Sequence, residues 1–147
     1  MSSIKPCTST EQAGWLQLRM ALWPEDPAEH LAEMQELCEQ PGRYAQFIAY
    51  SSTGEPQGLV EVALRSDYVN GTESSPVGFL EGLYVDPPFR HQGIAALLVK
   101  TAEQWAREQG CTEMASDALL ENTASHAMHA ALGFEETERV VYFRKSI

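Results

Sequence analysis

The stretch from Phe79 to Gly110 leaves this chain few ways to fold. An apolar, β-prone run over Gly78 to Val85 is broken by Asp86-Pro87-Pro88-Phe89. Arg90-His91-Gln92-Gly93-Ile94-Ala95 follows, and a long amphipathic segment then continues to Gln109, where Gly110 ends it as a left-handed cap. The spacing predicts a strand, a glycine-bearing loop and a helix from about Gly93 to Gln109. A helix start leaves four backbone N–H groups unpaired, and a loop that exposes several of them together cradles phosphate oxygens. Gly93 allows close approach to a pyrophosphate, the small Ala95 keeps a side chain out of the way, and Arg90 adds positive charge at the rim.

The remaining elements follow from local signals. A short first strand near Ile4 to Cys7 precedes Thr8 and Glu11, which have capping-box spacing, and Trp15, Leu18 and Leu22 share a helical face that Pro24 stops. Asp26-Pro27-Ala28-Glu29 starts a second helix, with Leu31, Met34 and Leu37 as its buried stripe. Ala45 to Ser51 and Gln57 to Ser66 read as a hairpin turned by Thr53-Gly54-Glu55-Pro56, and Tyr68 to Pro76 as a loop. Glu113 to Asp117 is a short strand, Asn122 to Leu132 a helix ended by Gly133, and Thr137 to Lys145 a final strand. The order β-α-α-β-β-β-α-β-α-β, with no repeat or linker, describes one α/β domain over residues 1–147 with a mixed sheet.

Charge narrows the partners. A net charge of −11 with ten basic residues argues against nucleic acid, whose phosphates need a Lys/Arg surface. It suits a cationic ligand, or serves solubility alone. No apolar run is long enough to cross a bilayer and no secretory leader is evident, so the expected location is cytosolic and no membrane partner is expected. Cys7, Cys38 and Cys111 have neither Cys-x-x-Cys spacing nor a nearby histidine, and no His-Glu-x-x-His occurs; no metal is expected. The cysteines read as buried small apolar residues.

Arg90, Gly93 and Ala95 resemble the acetyl-CoA pyrophosphate loop of the GNAT superfamily, Arg/Gln-x-x-Gly-x-Gly/Ala. The later Asn122-Thr123-Ala124 and Ala131-Leu132-Gly133-Phe134 match the same core in order. The resemblance implies the GNAT fold, a mixed, mostly antiparallel sheet whose splayed parallel strand pair is Gly78 to Val85 with Glu113 to Asp117. It also implies that the backbone of Leu83 and Val85 holds pantetheine, that Arg90, Gln92, Gly93, Ile94 and Ala95 hold the pyrophosphate, and that Asn122 holds the amide of the arm. A backbone N–H near Leu83 is the implied oxyanion donor. Many superfamily members carry a tyrosine acid on the last helix. Here His129 stands seven residues after Asn122, either as that acid or as a surface or core histidine.

A narrower resemblance covers nearly the whole chain. Leu22-Trp23-Pro24, Arg65 to Gly71, Phe79-Leu80-Glu81-Gly82, Met114-Ala115-Ser116-Asp117 and Gly133 to Arg139 are similar to the aminoglycoside 6'-N-acetyltransferases, and imply a homodimer. An aminoglycoside is a polyol bearing several ammonium groups, so its site needs carboxylates for charge and aromatic faces for sugar rings. The candidates are Glu81, Asp117, Glu73 and the Glu135, Glu136, Glu138 group, with Trp23 and Tyr68 for stacking. Glu81, expected on one strand face with Phe79 and Leu83, either meets the ligand or pairs with an arginine such as Arg65. Asp117 either orients the amine or caps a turn, and the last three glutamates are otherwise a solvated face.

An amine of pKa about 10.4 is neutral roughly one part in 2500 at pH 7, so its deprotonation costs about 4.6 kcal/mol. Glu81 is the expected proton acceptor, with Asp117 orienting, and direct attack then proceeds without an acetyl-enzyme. A GNAT enzyme for another amine and a non-catalytic acyl-CoA-binding module are the alternative readings.

Overall fold

The computed structural model describes residues 1–147. Five strands, β1 (Ser3–Pro6), β2 (Tyr44–Tyr50), β3 (Pro56–Arg65), β4 (Val77–Val85) and β5 (Met114–Ser116), form one sheet in chain order. The first four are antiparallel neighbours and β5 runs parallel to β4. Helices α1 (Trp15–Leu22) and α2 (Pro27–Glu39) cover one face, where Trp15, Leu18 and Met34 pack on Ile48, Tyr50 and Leu59. Helix α3 (Ile94–Glu108) covers the other, with Ile94, Leu98 and Ala102 on Ala49, Val60, Val62 and Leu80. Helix α4 (Thr123–Ala131) follows β5 and buries none of its residues.

The alternation of β2 and β3 explains the two layers, since successive side chains point to opposite faces and each face has its own helical cover. Helix α3 lies close to the sheet because Gly78 leaves room: a methyl group there would stand 2.8 Å from the Ala106 methyl and 2.6 Å from the Met114 sulfur. The predicted start of α2 is observed, with Asp26 accepting from the Ala28 N–H at 2.8 Å and Pro27 in the first turn.

Four expectations are corrected. Residues 135–147 form no strand; a strand needs a neighbour to pair with, and Val141, Tyr142 and Phe143 stand 77%, 81% and 91% exposed. Thr8 and Glu11 form no capping box. Ser9 accepts from the Glu11 N–H instead, and α1 begins only after Gly14, whose φ of 84° interrupts the helical path. The buried residues of α2 are His30 and Met34, while Leu31 is 42% exposed, because a polar network draws His30 inward. Finally, Leu83 packs on the α3 side, away from the carboxylate of Glu81.

Candidate active site

A bulge opens the site. Glu61 of β3 faces Gly82 of β4 and Val62 faces Leu80, so Glu81 is an extra residue in β4 with no partner opposite. Such a residue bends its strand and turns its side chain out of the ladder. The parallel pairing of β4 with β5 runs Gly78 to Met114, Phe79 to Ala115 and Leu80 to Ser116, and stops there. The next step of that register is Glu81 with Asp117, so both candidate carboxylates stand where the two strands part. Asp117 is exposed.

Glu81 has found the arginine considered from sequence. Arg65 Nη2 donates to its Oε1 at 2.8 Å, and the guanidinium also lies 3.5 Å from the centroid of the Phe79 ring. The pair keeps 43% and 34% of its side-chain surface exposed, so Glu81 stays open to a second cation.

Trp23 caps the end of α1, and its ring tip rests on the backbone of Gly82. A methyl group on Gly82 would come within 2.5 Å of Cη2, so only glycine admits the ring there. Tyr68 projects 75% exposed from the loop between β3 and β4. Glu113 fastens that loop by accepting from the Glu73 N–H at 2.9 Å and from the Ser74 hydroxyl. These hydrogen bonds, Ser74 first, hold the Glu113 carboxyl below the usual glutamate range. Gly71 of the same loop lies against Thr137, where a methyl group would meet the Thr137 hydroxyl at 2.1 Å. The segment carrying Glu135, Glu136 and Glu138 therefore runs beside the loop of Tyr68 and Glu73. Glu136 is paired with Arg139, whose hydrogen bond and charge lower its pKa; Glu138 remains exposed.

On the opposite side of the split, Gly93 has φ 80° and forms the N-cap of α3 with no side-chain hydrogen bond to the first turn. The earliest bond across it is Leu97 N–H to the Gly93 carbonyl at 3.1 Å, which leaves the N–H groups of Ile94, Ala95 and Ala96 ahead of the intrahelical ladder. Nothing would contact a methyl group on Gly93, so the cradle is open, and His91 at φ 63° bends the loop around it. Gln92 is exposed on this loop, its Nε2 donating to the Pro88 carbonyl at 3.4 Å. The donor set fits a pyrophosphate. Arg90 turns back, its Nε donating to the Val85 carbonyl at 2.8 Å, which occupies an acceptor expected for pantetheine. Asn122 Oδ1 caps α4 by accepting from the Ser125 N–H at 3.1 Å, leaving its amide N–H groups for a ligand.

His129 faces the split through Ser116. Its Nδ1 donates to the Ser125 carbonyl at 2.7 Å, so Nε2 is left to accept from the Ser116 hydroxyl at 2.7 Å. Ser116 lies on the last rung beside Leu80, whose carbonyl is 3.4 Å away. The hydroxyl was not singled out from sequence, and a lone serine in a short strand carries no signal there.

Arg19, His30 and Glu61 were also not singled out. Glu61 had a signal, an acid inside the alternating β3 run, which is the argument applied to Glu81. The thiols stand apart from this chemistry. Burial pushes Cys7, Cys38 and Cys111 up, Cys7 most, with the Glu61 charge adding to it. A groove of about 830 Å³ between the end of α2, β2 and the flank of α3 includes none of the candidate residues.

Known proteins are similar to this chain over nearly its whole length. Residues 13–134 match the acetyltransferase (GNAT) family. An aminoglycoside N(6')-acetyltransferase type 1 from Acinetobacter genomosp. 13 is 52% identical over 145 residues, covering 99% of each chain. The crystal structure of an aminoglycoside antibiotic 6'-N-acetyltransferase, AAC(6')-Ih from Acinetobacter baumannii, superposes with a TM-score of 0.96 at 50% identity, covering 100% of this chain and 99% of the other. AAC(6')-Iy, solved in complex with the bisubstrate analogue CoA-S-monomethyl-acetylneamine, gives a TM-score of 0.93 at 43% identity over 100% of this chain and 99% of that one.

Proposed function

The chain belongs to the acetyltransferase (GNAT) family, and we propose that it transfers acetyl from acetyl-CoA to the 6'-amine of aminoglycoside antibiotics, conferring resistance to them. The observation that supports this reading is the rung Leu80–Ser116 at which β4 and β5 part, with Glu81 and Asp117 the next residues along the two strands and the Trp23 ring against Gly82. Identity of about half the residues over nearly the full length with proteins named for that reaction supports it.

Bound acetyl-CoA supplies the thioester carbonyl that the amine attacks. The open N–H groups at Gly93, Ile94 and Ala95 bind its pyrophosphate, with Arg90 and Gln92 at the rim, while Leu83, Val85 and Asn122 line the arm. Glu81 and Asp117 bind the substrate ammonium, Glu81 accepts its proton directly or through a water, and Asp117 orients the resulting amine. Trp23 and Tyr68 stack on sugar rings, and Glu73 and Glu138 bind further ammonium groups. Collapse of the adduct breaks the thioester C–S bond, and the departing coenzyme A thiolate is protonated through the Ser116 hydroxyl from His129 Nε2. That nitrogen is recharged by the second proton that the amine nitrogen sheds, while His129 Nδ1 keeps its own proton on the Ser125 carbonyl. No residue is acetylated on the way.

The same reading puts one domain over residues 1–147 in the cytoplasm, where acetyl-CoA is made, as a homodimer. Support for the dimer comes from residues 140–143, an apolar run left exposed, and from α4, which has no buried residue. Coenzyme A thiol release, measured with kanamycin and with an analogue bearing a 6'-hydroxyl, tests the reaction. Release with kanamycin alone is expected, and equal turnover of both would overturn the site of transfer.

A further inference from the structure

Behind Trp23 lies a group of buried charges that the acetyl transfer does not itself require. Arg19, His30 and Glu61 are 2%, 0% and 5% exposed. Arg19 Nη1 donates to the two Glu61 oxygens at 2.5 and 2.7 Å, its Nη2 donates to Glu33, and its Nε donates to His30 Nδ1 at 3.1 Å. Trp15 Nε1 gives Glu61 a further donor at 2.9 Å. Burying an ion pair is costly, and apolar residues of similar volume often serve stability as well or better. Apolar residues could not hold a neighbouring carbonyl and ring in one place.

This group does hold them. A guanidinium N–H can only donate, so His30 Nδ1 accepts; a backbone carbonyl can only accept, so His30 Nε2 donates to the Trp23 carbonyl at 2.8 Å. The tautomer is fixed by its partners. The Arg19 guanidinium also lies 5.0 Å from the centroid of the Trp23 ring, and the ring tip meets Gly82. Gly82 is the register partner of Glu61, and Glu61 returns the circuit to Arg19. Trp23 is thus gripped through its carbonyl, its ring face and its ring tip, next to Glu81. Glu25, His30 and Glu33 bring ligand atoms within 4.8 Å of one another, yet the one lone pair of His30 is already taken by Arg19, which argues against a metal there.

We propose that Arg19 and His30 are positioning residues for the aminoglycoside: they fix the carbonyl and indole of Trp23 so that a sugar ring stacks on a preset surface and its amine arrives at Glu81. The proposal rests on the acetylation reading above and deepens it. Ordering a side chain in advance removes that cost from binding, and a small misplacement of the stacked ring would displace the amine.

The test uses the full-length protein and calorimetric Kd values for kanamycin and, separately, for coenzyme A. His30→Gln keeps an N–H donor near the position of Nε2, whereas His30→Asn keeps an acceptor near Nδ1 and falls short of the Trp23 carbonyl. His30→Asn is expected to weaken kanamycin binding about tenfold or more and leave coenzyme A binding unchanged, while His30→Gln stays within about threefold of wild type. Gly82→Ala pushes on the ring from the other side and leaves the buried charges intact. It is expected to weaken kanamycin binding in the same selective way, and it keeps the test decisive should His30→Asn fail to fold. Kanamycin binding within about threefold of wild type in Gly82→Ala or in a folded His30→Asn protein, or an equal loss for kanamycin and coenzyme A, would overturn the positioning role. Wild-type protein that binds coenzyme A but not kanamycin would instead overturn the acetylation reading on which the proposal stands.

Discussion

Arg65 and Glu81 form an ion pair of 2.8 Å at the bulge of β4, and the same guanidinium stays seated on the Phe79 ring. That second contact matters, because it lets Glu81 change partners without leaving the arginine adrift. In the proposed reaction, a substrate ammonium entering beside Asp117 takes over the carboxylate while Arg65 keeps its cation–π contact.

Glu81→Gln keeps the shape and a hydrogen-bond acceptor but removes the proton acceptor. Turnover with kanamycin should fall about 100-fold or more, in the range of a lost general base. Stability should change by less than about 1 kcal/mol, because both partners of the pair are well exposed. Steady-state kinetics alongside a thermal melt separate the two effects, and retained turnover in both Glu81→Gln and Asp117→Asn would remove the carboxylates from the proton path.

Gly93 meets two demands, a φ of 80° and an unobstructed cradle. Gly93→Val places a branched side chain where both fail. The KM for acetyl-CoA should rise at least about tenfold, since φ > 0 is an outlier for a β-branched residue and the phosphate is pushed from the N–H groups. Calorimetric binding of kanamycin should be unaltered, and a parallel loss of both would mean a wider collapse of the site.

How legible this was depends on the range over which each feature is decided. The Asp26-Pro27 start, the Gly110 and Gly133 ends and the Arg90 to Ala95 loop are decided within a few residues, and the structure has them where patterning puts them. Phase within α2 is not legible from the helix alone, because Leu31 looks more like core than His30 does; only Arg19 and the Trp23 carbonyl, both outside α2, make a histidine the better buried residue. The bulge at Glu81 was invisible for a similar reason. A strand sequence states its alternation but not which of its residues the neighbouring strand skips. The tail from Thr137 carries a β-prone apolar run, Val140 to Phe143, and in this chain it has no pairing neighbour.

Glu113 links the loop of Tyr68 and Glu73 to β5, and its pH behaviour follows from the hydrogen bonds of Ser74 and the Glu73 N–H. Its folded pKa is depressed, so its contribution to stability is complete above the ordinary glutamate value and is lost as pH falls through the lower folded value. Glu113→Gln should therefore melt below wild type at about pH 7, and the gap between them should close in acid. A gap that persists in acid would assign the difference to packing, with no part for the carboxylate. Faster exchange of the loop amides in the variant is expected at neutral pH.

The tail provides the last test. Val140, Val141, Tyr142 and Phe143 are 47%, 77%, 81% and 91% exposed, and Leu119 and Leu120, before α4, are 70% and 61% exposed. Large apolar side chains are costly to leave in water, and burying each fully is worth roughly 1.5–3 kcal/mol. A second copy offers the cover at no cost in new sequence, since twofold symmetry presents the same surface twice. Deletion of residues 140–147 should then convert a dimer to a monomer in light scattering and lower the melting temperature. It should also loosen Thr137 from Gly71, and through that contact raise the KM for kanamycin more than that for acetyl-CoA. A wild-type protein that scatters as a monomer at micromolar concentration, or a truncated one that remains a dimer, would remove the tail from the interface.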